Sequence, residues 1–120
     1  MAKRVLIIED EPNIVVSLSF LLERQGFQVF TEDDGANAIE SLKKAKPDLV
    51  ILDVMLPNRS GFDILQDIHN LPLSPRVLML TAKGQGRDRQ QAEEIGVDRF
   101  MTKPFANTEI VSAVEALLHD

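Results

Sequence analysis

Short runs of unbroken hydrophobicity alternate along this chain with longer stretches whose apolar residues recur at helical spacing. Val5-Leu6-Ile7-Ile8 is too short for a helix and predicts a first strand over 4–8. Ile14, Val15, Leu18, Leu21 and Leu22 then follow a helical period, with Pro12 suited to the first turn and Gly26 to the C-terminal stop. Residues 27–31 predict a short second strand, and Asp34-Gly35 a turn. Ala38, Ile39 and Leu42 mark a second helix that ends before Pro47, because the residue preceding a proline is pushed out of the helical region. Leu49-Val50-Ile51-Leu52 is a third strand, and residues 56–61 form a loop ahead of a helix carrying Phe62, Ile64, Leu65 and Ile68. Pro72 and Pro75 bracket a break before a fourth strand over 77–80, which ends on Thr81. Gly84 and Gly86 loosen the start of a fourth helix that carries Ala92 and Ile95 and closes at Gly96. A fifth strand over 98–101 leads through Lys103-Pro104 to a last helix with Ile110, Val111, Val114, Leu117 and Leu118 on one face.

Strands alternating with helices at this spacing imply right-handed crossovers and an α/β domain: a five-stranded parallel sheet with helices on both faces. Strands one, three and four are apolar throughout and suit the sheet centre, whereas the more polar strands two and five suit its edges. The 120 residues are one domain by size. A net charge of -6 without a Lys/Arg block argues against direct nucleic-acid binding. Lys43, Lys44 and Lys46 read as a solvated helix end. No stretch approaches a membrane span or a signal peptide, and with no cysteine the expected setting is cytoplasmic.

The chemistry lies in the residues just past each strand. Ligands of open parallel sheets bind beyond the carboxyl ends of the strands. Strand one is followed by Glu9, Asp10 and Glu11, strand three by Asp53 and strand four by Thr81, and Lys103 lies two residues past strand five. Carboxylates crowded at one partly desolvated edge must take up a proton or meet a cation. With no His or Cys in the set, a hard, oxygen-preferring ion is the natural partner: Mg²⁺, with Mn²⁺ as a second metal that such ligands suit. A hydroxyl and an ammonium opposite that metal suit a phosphoryl group, and the carboxylate between them suits its covalent acceptor. Asp53, the one acid on the central strand, is best placed for that role. Read singly, each residue has a plainer reading: an acidic first turn for residues 9–11, a turn-initiating Asp53, a capping Thr81, a surface Lys103. Those readings do not explain why all of them meet at one sheet edge.

Glu9-Asp10, Asp53-Val54-Met55-Leu56-Pro57, Gly61, Thr81-Ala82 and Lys103-Pro104-Phe105 together resemble the receiver domain of two-component response regulators, over essentially the whole chain. The resemblance implies a flavodoxin-like, doubly wound sheet of order 2-1-3-4-5, with residues 1–120 as a single receiver domain and no effector domain. It implies that a sensor histidine kinase or phosphotransfer protein phosphorylates Asp53. Asp10, Glu9, Asp53 and the backbone carbonyl of Met55 would hold Mg²⁺, while Thr81 and Lys103 would hold the phosphoryl oxygens. A Lys103–Pro104 bond of the cis form would fit the family. Thr81 and Phe100 would form the switch, changing the face made by helix four, strand five and helix five. Phe100 stands where tyrosine is common, so a packing switch is expected here without a ring hydroxyl; its plainer reading is a core ring. Met55 and Lys83 occupy positions that tune phosphoryl lifetime, and neither is suited to activating water.

Val16 and Phe20 lie one turn apart on helix one, opposite its core stripe, and form a candidate docking patch for a kinase helix or a second receiver; partial burial by a neighbouring segment is the alternative. Residues 53–65 look most like receivers joined to winged-helix transcription factors, which dimerise when phosphorylated. This chain departs from that subgroup at Arg99, where an acid is usual, and at Ala113 and Glu115, where basic residues are usual. The downstream partner stays open. Two other readings are a haloacid-dehalogenase-like phosphatase or phosphotransferase and a flavodoxin-like nucleotide-binding module. The first needs a second acid where Met55 stands. The second needs a Gly- and Ser/Thr-rich phosphate loop where Glu9-Asp10-Glu11-Pro12 stands.

Overall fold

A computed structural model of the chain describes residues 2–72, 75–82 and 86–119. Five strands alternate with five helices: β1 (Arg4–Ile8), α1 (Pro12–Arg24), β2 (Gln28–Glu32), α2 (Ala38–Ala45), β3 (Leu49–Asp53), α3 (Gly61–His69), β4 (Arg76–Ala82), α4 (Gly86–Ile95), β5 (Arg99–Lys103) and α5 (Asn107–Leu118). A single 3₁₀ turn at Gly35–Asn37 precedes α2. All strand pairs are parallel, in the order β2-β1-β3-β4-β5. The two polar strands are therefore the edges, as their composition predicts.

The period of two along each strand divides the core. Leu6, Ile8, Val50, Leu52, Val77 and Met79 face one side, where Ala38 and Leu42 of α2, Ile64, Leu65 and Ile68 of α3 and Ala92 of α4 cover them. Val5, Ile7, Leu49, Ile51, Leu78 and Leu80 face the other, under Leu18 and Leu22 of α1 and Ile110, Ala113 and Val114 of α5. The chain steps from β1 outward to β2, then back across β1 to β3. With right-handed crossovers, that reversal puts α1 on one face and α2 on the other, and opens a crevice between the ends of β1 and β3.

Four strands differ from the pattern-based expectation, by one or two residues at one or both ends; β3 runs through Asp53, so that acid closes the strand rather than following it. β2 runs to Glu32. β4 begins at Arg76 and continues through Thr81 to Ala82. β5 continues to Lys103, because Thr102 and Lys103 still pair with Thr81 and Ala82. Lys103 is thus the last residue of β5, not two residues beyond it. Hydrophobicity alone cannot mark these ends, since the polar residues there are held by ladder hydrogen bonds rather than by burial. α1 ends where Gly26 takes a positive φ of 92°, a conformation open to glycine without steric cost.

Candidate functional site

β1 and β3 run side by side with Ile8 opposite Leu52, so the residues after them leave the sheet on either side of the crevice. Glu9 is fully buried, Asp53 nearly so, and Asp10 is exposed. From the far edge, β5 projects Lys103, whose Nζ lies 2.6 Å from Glu9 Oε1 and 3.3 Å from Asp53 Oδ1. One carboxylate oxygen each from Glu9, Asp10 and Asp53 fall within 4.8 Å of one another. The structure thus gathers Glu9, Asp10, Asp53 and Lys103 into one cluster, with Thr81 buried on the adjoining strand.

The electrostatics of this cluster are unbalanced. Glu9 Oε2 accepts the backbone N–H of Asp10 at 2.9 Å and of Glu11 at 3.3 Å. Its other oxygen, Oε1, is buried beside the Lys103 ammonium but has no well-directed hydrogen bond. Burial pushes the Glu9 carboxyl above its ordinary value; Lys103 pulls it back, and the Asp53 charge raises it again. Burial acts on Lys103 in the opposite sense, but Glu9 and Asp53 together outweigh it and hold the ammonium above its ordinary value. One ammonium against three carboxylates leaves negative charge in excess. A buried oxygen without a directed partner, next to two further carboxylates and no sulfur or imidazole, fits a hard divalent cation rather than zinc. Glu11, the N-cap of α1, makes no side-chain capping bond, so helix capping does not account for this acidic run.

The loop after β3 is held by close backbone approaches. Gly61 donates its N–H to Val54 O at 2.8 Å, and a Cβ on Gly61 would stand 2.2 Å from the carbonyl oxygen of Asp53. Only glycine lets α3 begin against the backbone of the acid itself. Gly35 seats in the same way against the 57–59 backbone, where its N–H meets Pro57 O at 3.1 Å. Asn58 adds a side-chain bond of 3.0 Å to Asp34. Met55 projects from this loop, 74% exposed.

The Thr81 hydroxyl donates to Asp88 Oδ2 on α4 at 2.7 Å. Neither the capping reading nor the phosphoryl reading of Thr81 anticipates this partner. Asp88 is a residue the sequence offers no spacing rule to find; its one signal is an acid in the first turn of a helix. Phe100 is buried against the core beneath α2, α3 and α4. Lys83 lies outside the described residues. Val16 and Phe20 are 68% and 60% exposed, so no neighbouring segment among the described residues covers them, although the Arg24 guanidinium stands 5.5 Å over the Phe20 ring. Arg99 and Glu115 are exposed, whereas Ala113 is core. The Lys103–Pro104 bond is cis. No helix among the described residues is long and apolar enough to cross a membrane.

Comparison with known proteins agrees with this geometry. The family model of the response regulator receiver domain matches residues 5–115. The alkaline phosphatase synthesis transcriptional regulatory protein PhoP of Bacillus subtilis (strain 168) is 41% identical over 118 residues, which is 98% of this chain and 49% of that protein. The chain therefore spans about half the length of this relative. The signal receiver domain of a signal transduction histidine kinase from Syntrophus aciditrophicus superposes with a TM-score of 0.89 at 34% identity, covering 98% of this chain and 90% of that one. The chemotaxis response regulator CheY4 of Vibrio cholerae gives 0.91 at 26% identity, covering 98% and 100%. These comparisons do not support the phosphatase or nucleotide-module alternatives. With its strand order, its acidic crevice and a family match over nearly its whole length, the chain belongs to the response regulator receiver domains.

Proposed function

We propose that this receiver domain accepts a phosphoryl group on Asp53 from a histidine kinase or phosphotransfer protein and passes the change to the α4–β5–α5 face. The observation that carries this reading is the position of Asp53, a nearly buried carboxylate between the Glu9–Asp10 acids and the Lys103 ammonium. Glu9, Asp10, Asp53 and the Met55 carbonyl would hold Mg²⁺, or Mn²⁺. When bound, the metal neutralises charge on the incoming phosphoryl oxygens.

This chain's own residues do the rest. An Asp53 oxygen attacks phosphorus in line with the departing group. The new O–P bond forms as the donor's bond to phosphorus breaks, and the donor leaves with the bonding pair. Lys103, already 3.3 Å from Asp53 Oδ1, is placed to pair with a phosphoryl oxygen, and Thr81 would donate its hydroxyl to another. The buried setting of Asp53 limits water at the new acyl phosphate, and Met55 near it supplies no base. The domain is an acceptor that assists its own phosphorylation, with a self-dephosphorylation slowed by these two features, rather than a turnover enzyme. Phe100 would repack as Thr81 moves. Val16 and Phe20 would form part of the docking surface for the phosphoryl donor. The relative's name describes transcriptional regulation; an output of that kind, reached by dimerisation on phosphorylation, is the proposed downstream role.

The test is incubation with Mg²⁺ and acetyl phosphate, with intact mass as the readout. One phosphoryl adduct is expected, absent in Asp53→Asn and blocked by a chelator. A folded, Mg²⁺-binding protein that takes no adduct would overturn the acceptor role.

A further inference from the structure

We infer that Asp88 holds the Thr81 hydroxyl in the resting domain and thereby sets how readily the site accepts a phosphoryl group. The inference rests on the reading of Thr81 as a hydrogen-bond donor to that group. A threonine hydroxyl has one proton to give. Here it goes to Asp88 Oδ2 at 2.7 Å, in a bond strengthened by the acceptor's charge, from a side chain that is 1% exposed. Thr81 cannot donate to a phosphoryl oxygen and to Asp88 together. Each phosphorylation must therefore first release it. A phosphoryl group stabilises only the released state, so the apparent affinity falls by the fraction of molecules in which Thr81 is held.

The bond also joins β4 to the first turn of α4. Its exchange for a phosphoryl contact would free that turn, linking chemistry at Asp53 to the α4 side of the domain. Asp88 has a second effect that must be separated from this one. As an acid in a first helical turn it favours α4 through the helix dipole, whether or not Thr81 is present.

Beryllofluoride, a phosphoryl analogue, titrated with Mg²⁺ into the whole chain separates the two. Asp88→Ala is expected to bind it about tenfold more tightly, since a hydrogen bond to a charged group has been removed from the competing state. Asp88→Asn keeps an acceptor oxygen without its charge and should bind with an affinity between wild type and Asp88→Ala. Thr81→Ala should bind more weakly, and adding Asp88→Ala to it should change nothing further. Without metal or analogue, the Thr81 methyl resonance of Asp88→Ala should already move toward its analogue-bound position. A folded Asp88→Ala that binds no more tightly overturns the latch, as does an equal gain in the Thr81→Ala background. If Asp53→Asn binds the analogue as well as wild type does, the reading of the site itself fails, and the latch with it.

Discussion

Lys103 Nζ stands 2.6 Å from Glu9 Oε1 and 3.3 Å from Asp53 Oδ1, so one ammonium on the last strand joins the acid just past the first strand to the acid that ends the third. The folded state raises the lysine's proton affinity. Its contribution to stability is therefore fully present below the unfolded value of 10.5 and is lost only as pH rises through the folded value. At neutral pH, Lys103→Met should cost the metal-free domain about 2 kcal/mol. That is less than the 3–5 kcal/mol typical of breaking a fully buried pair, because the side chain is 20% exposed. The same variant should bind Mg²⁺ more tightly, having lost a competing cation, and take a phosphoryl group poorly. Urea denaturation, a metal titration and intact mass check the three parts.

Glu9 shifts in the same direction, but its window lies in mild acid. Its carboxyl is pushed up, chiefly by burial, so the folded chain holds that proton more firmly than the unfolded chain does. Stability from this group is present below the unfolded value of 4.5 and is lost as pH rises through the folded value. In metal-free buffer, Glu9→Gln should therefore gain on wild type as pH is raised from 4.5 to 7, reaching on the order of 1 kcal/mol. Added Mg²⁺ should stabilise wild type more than the variant and reverse the order. Paired urea titrations at the two pH values, with and without Mg²⁺, measure this.

Gly61→Ala places a methyl 2.2 Å from the Asp53 carbonyl oxygen, a backbone atom that cannot swing away. Either α3 or the end of β3 must shift. The expected cost is about 1–3 kcal/mol, with a loss of phosphoryl acceptance larger than the stability loss explains. Gly26→Ala makes a useful control: nothing lies within 4 Å of its added Cβ, and its positive φ alone carries the strain, remote from the site. Comparable phosphorylation in the two variants would show that the Gly61 approach does not position Asp53.

Phe20 and Val16 are exposed, and their removal should leave the core intact. Phe20→Ser should change unfolding free energy by less than about 1 kcal/mol, since little buried area is lost. It should slow phosphotransfer from a phosphohistidine donor protein while leaving acetyl phosphate labelling unchanged. Equal slowing of both would place the effect in the active site rather than on the docking surface.

The pattern of the chain predicts the sheet well at its centre and less well at its margins. Val5 to Ile8 and Leu49 to Leu52 are legible because they are buried on both faces and need no polar signal. Thr81 and Lys103 fall inside strands because ladder hydrogen bonds, not hydrophobicity, decide where β4 and β5 stop. The cluster of Glu9, Asp10, Asp53 and Lys103 is legible for a topological reason: parallel strands deliver the residues at their carboxyl ends to one edge. The burial of Glu9 against the exposure of Asp10, one residue apart, is not legible in the same way. Nor is the Thr81–Asp88 bond, which depends on where α4 settles rather than on any spacing. Gly61 is visible as a glycine, but its reason, the Asp53 carbonyl beneath it, emerges only in three dimensions.

The acceptor role is tested most directly by locating the phosphoryl group. After labelling with Mg²⁺ and acetyl phosphate, borohydride reduces an aspartyl phosphate to homoserine, which peptide mass spectrometry assigns to a single residue. Homoserine is expected at position 53 and nowhere else. Conversion at Asp10 or another acid, or a stable adduct that borohydride leaves untouched, would contradict the assignment of Asp53 as the acceptor.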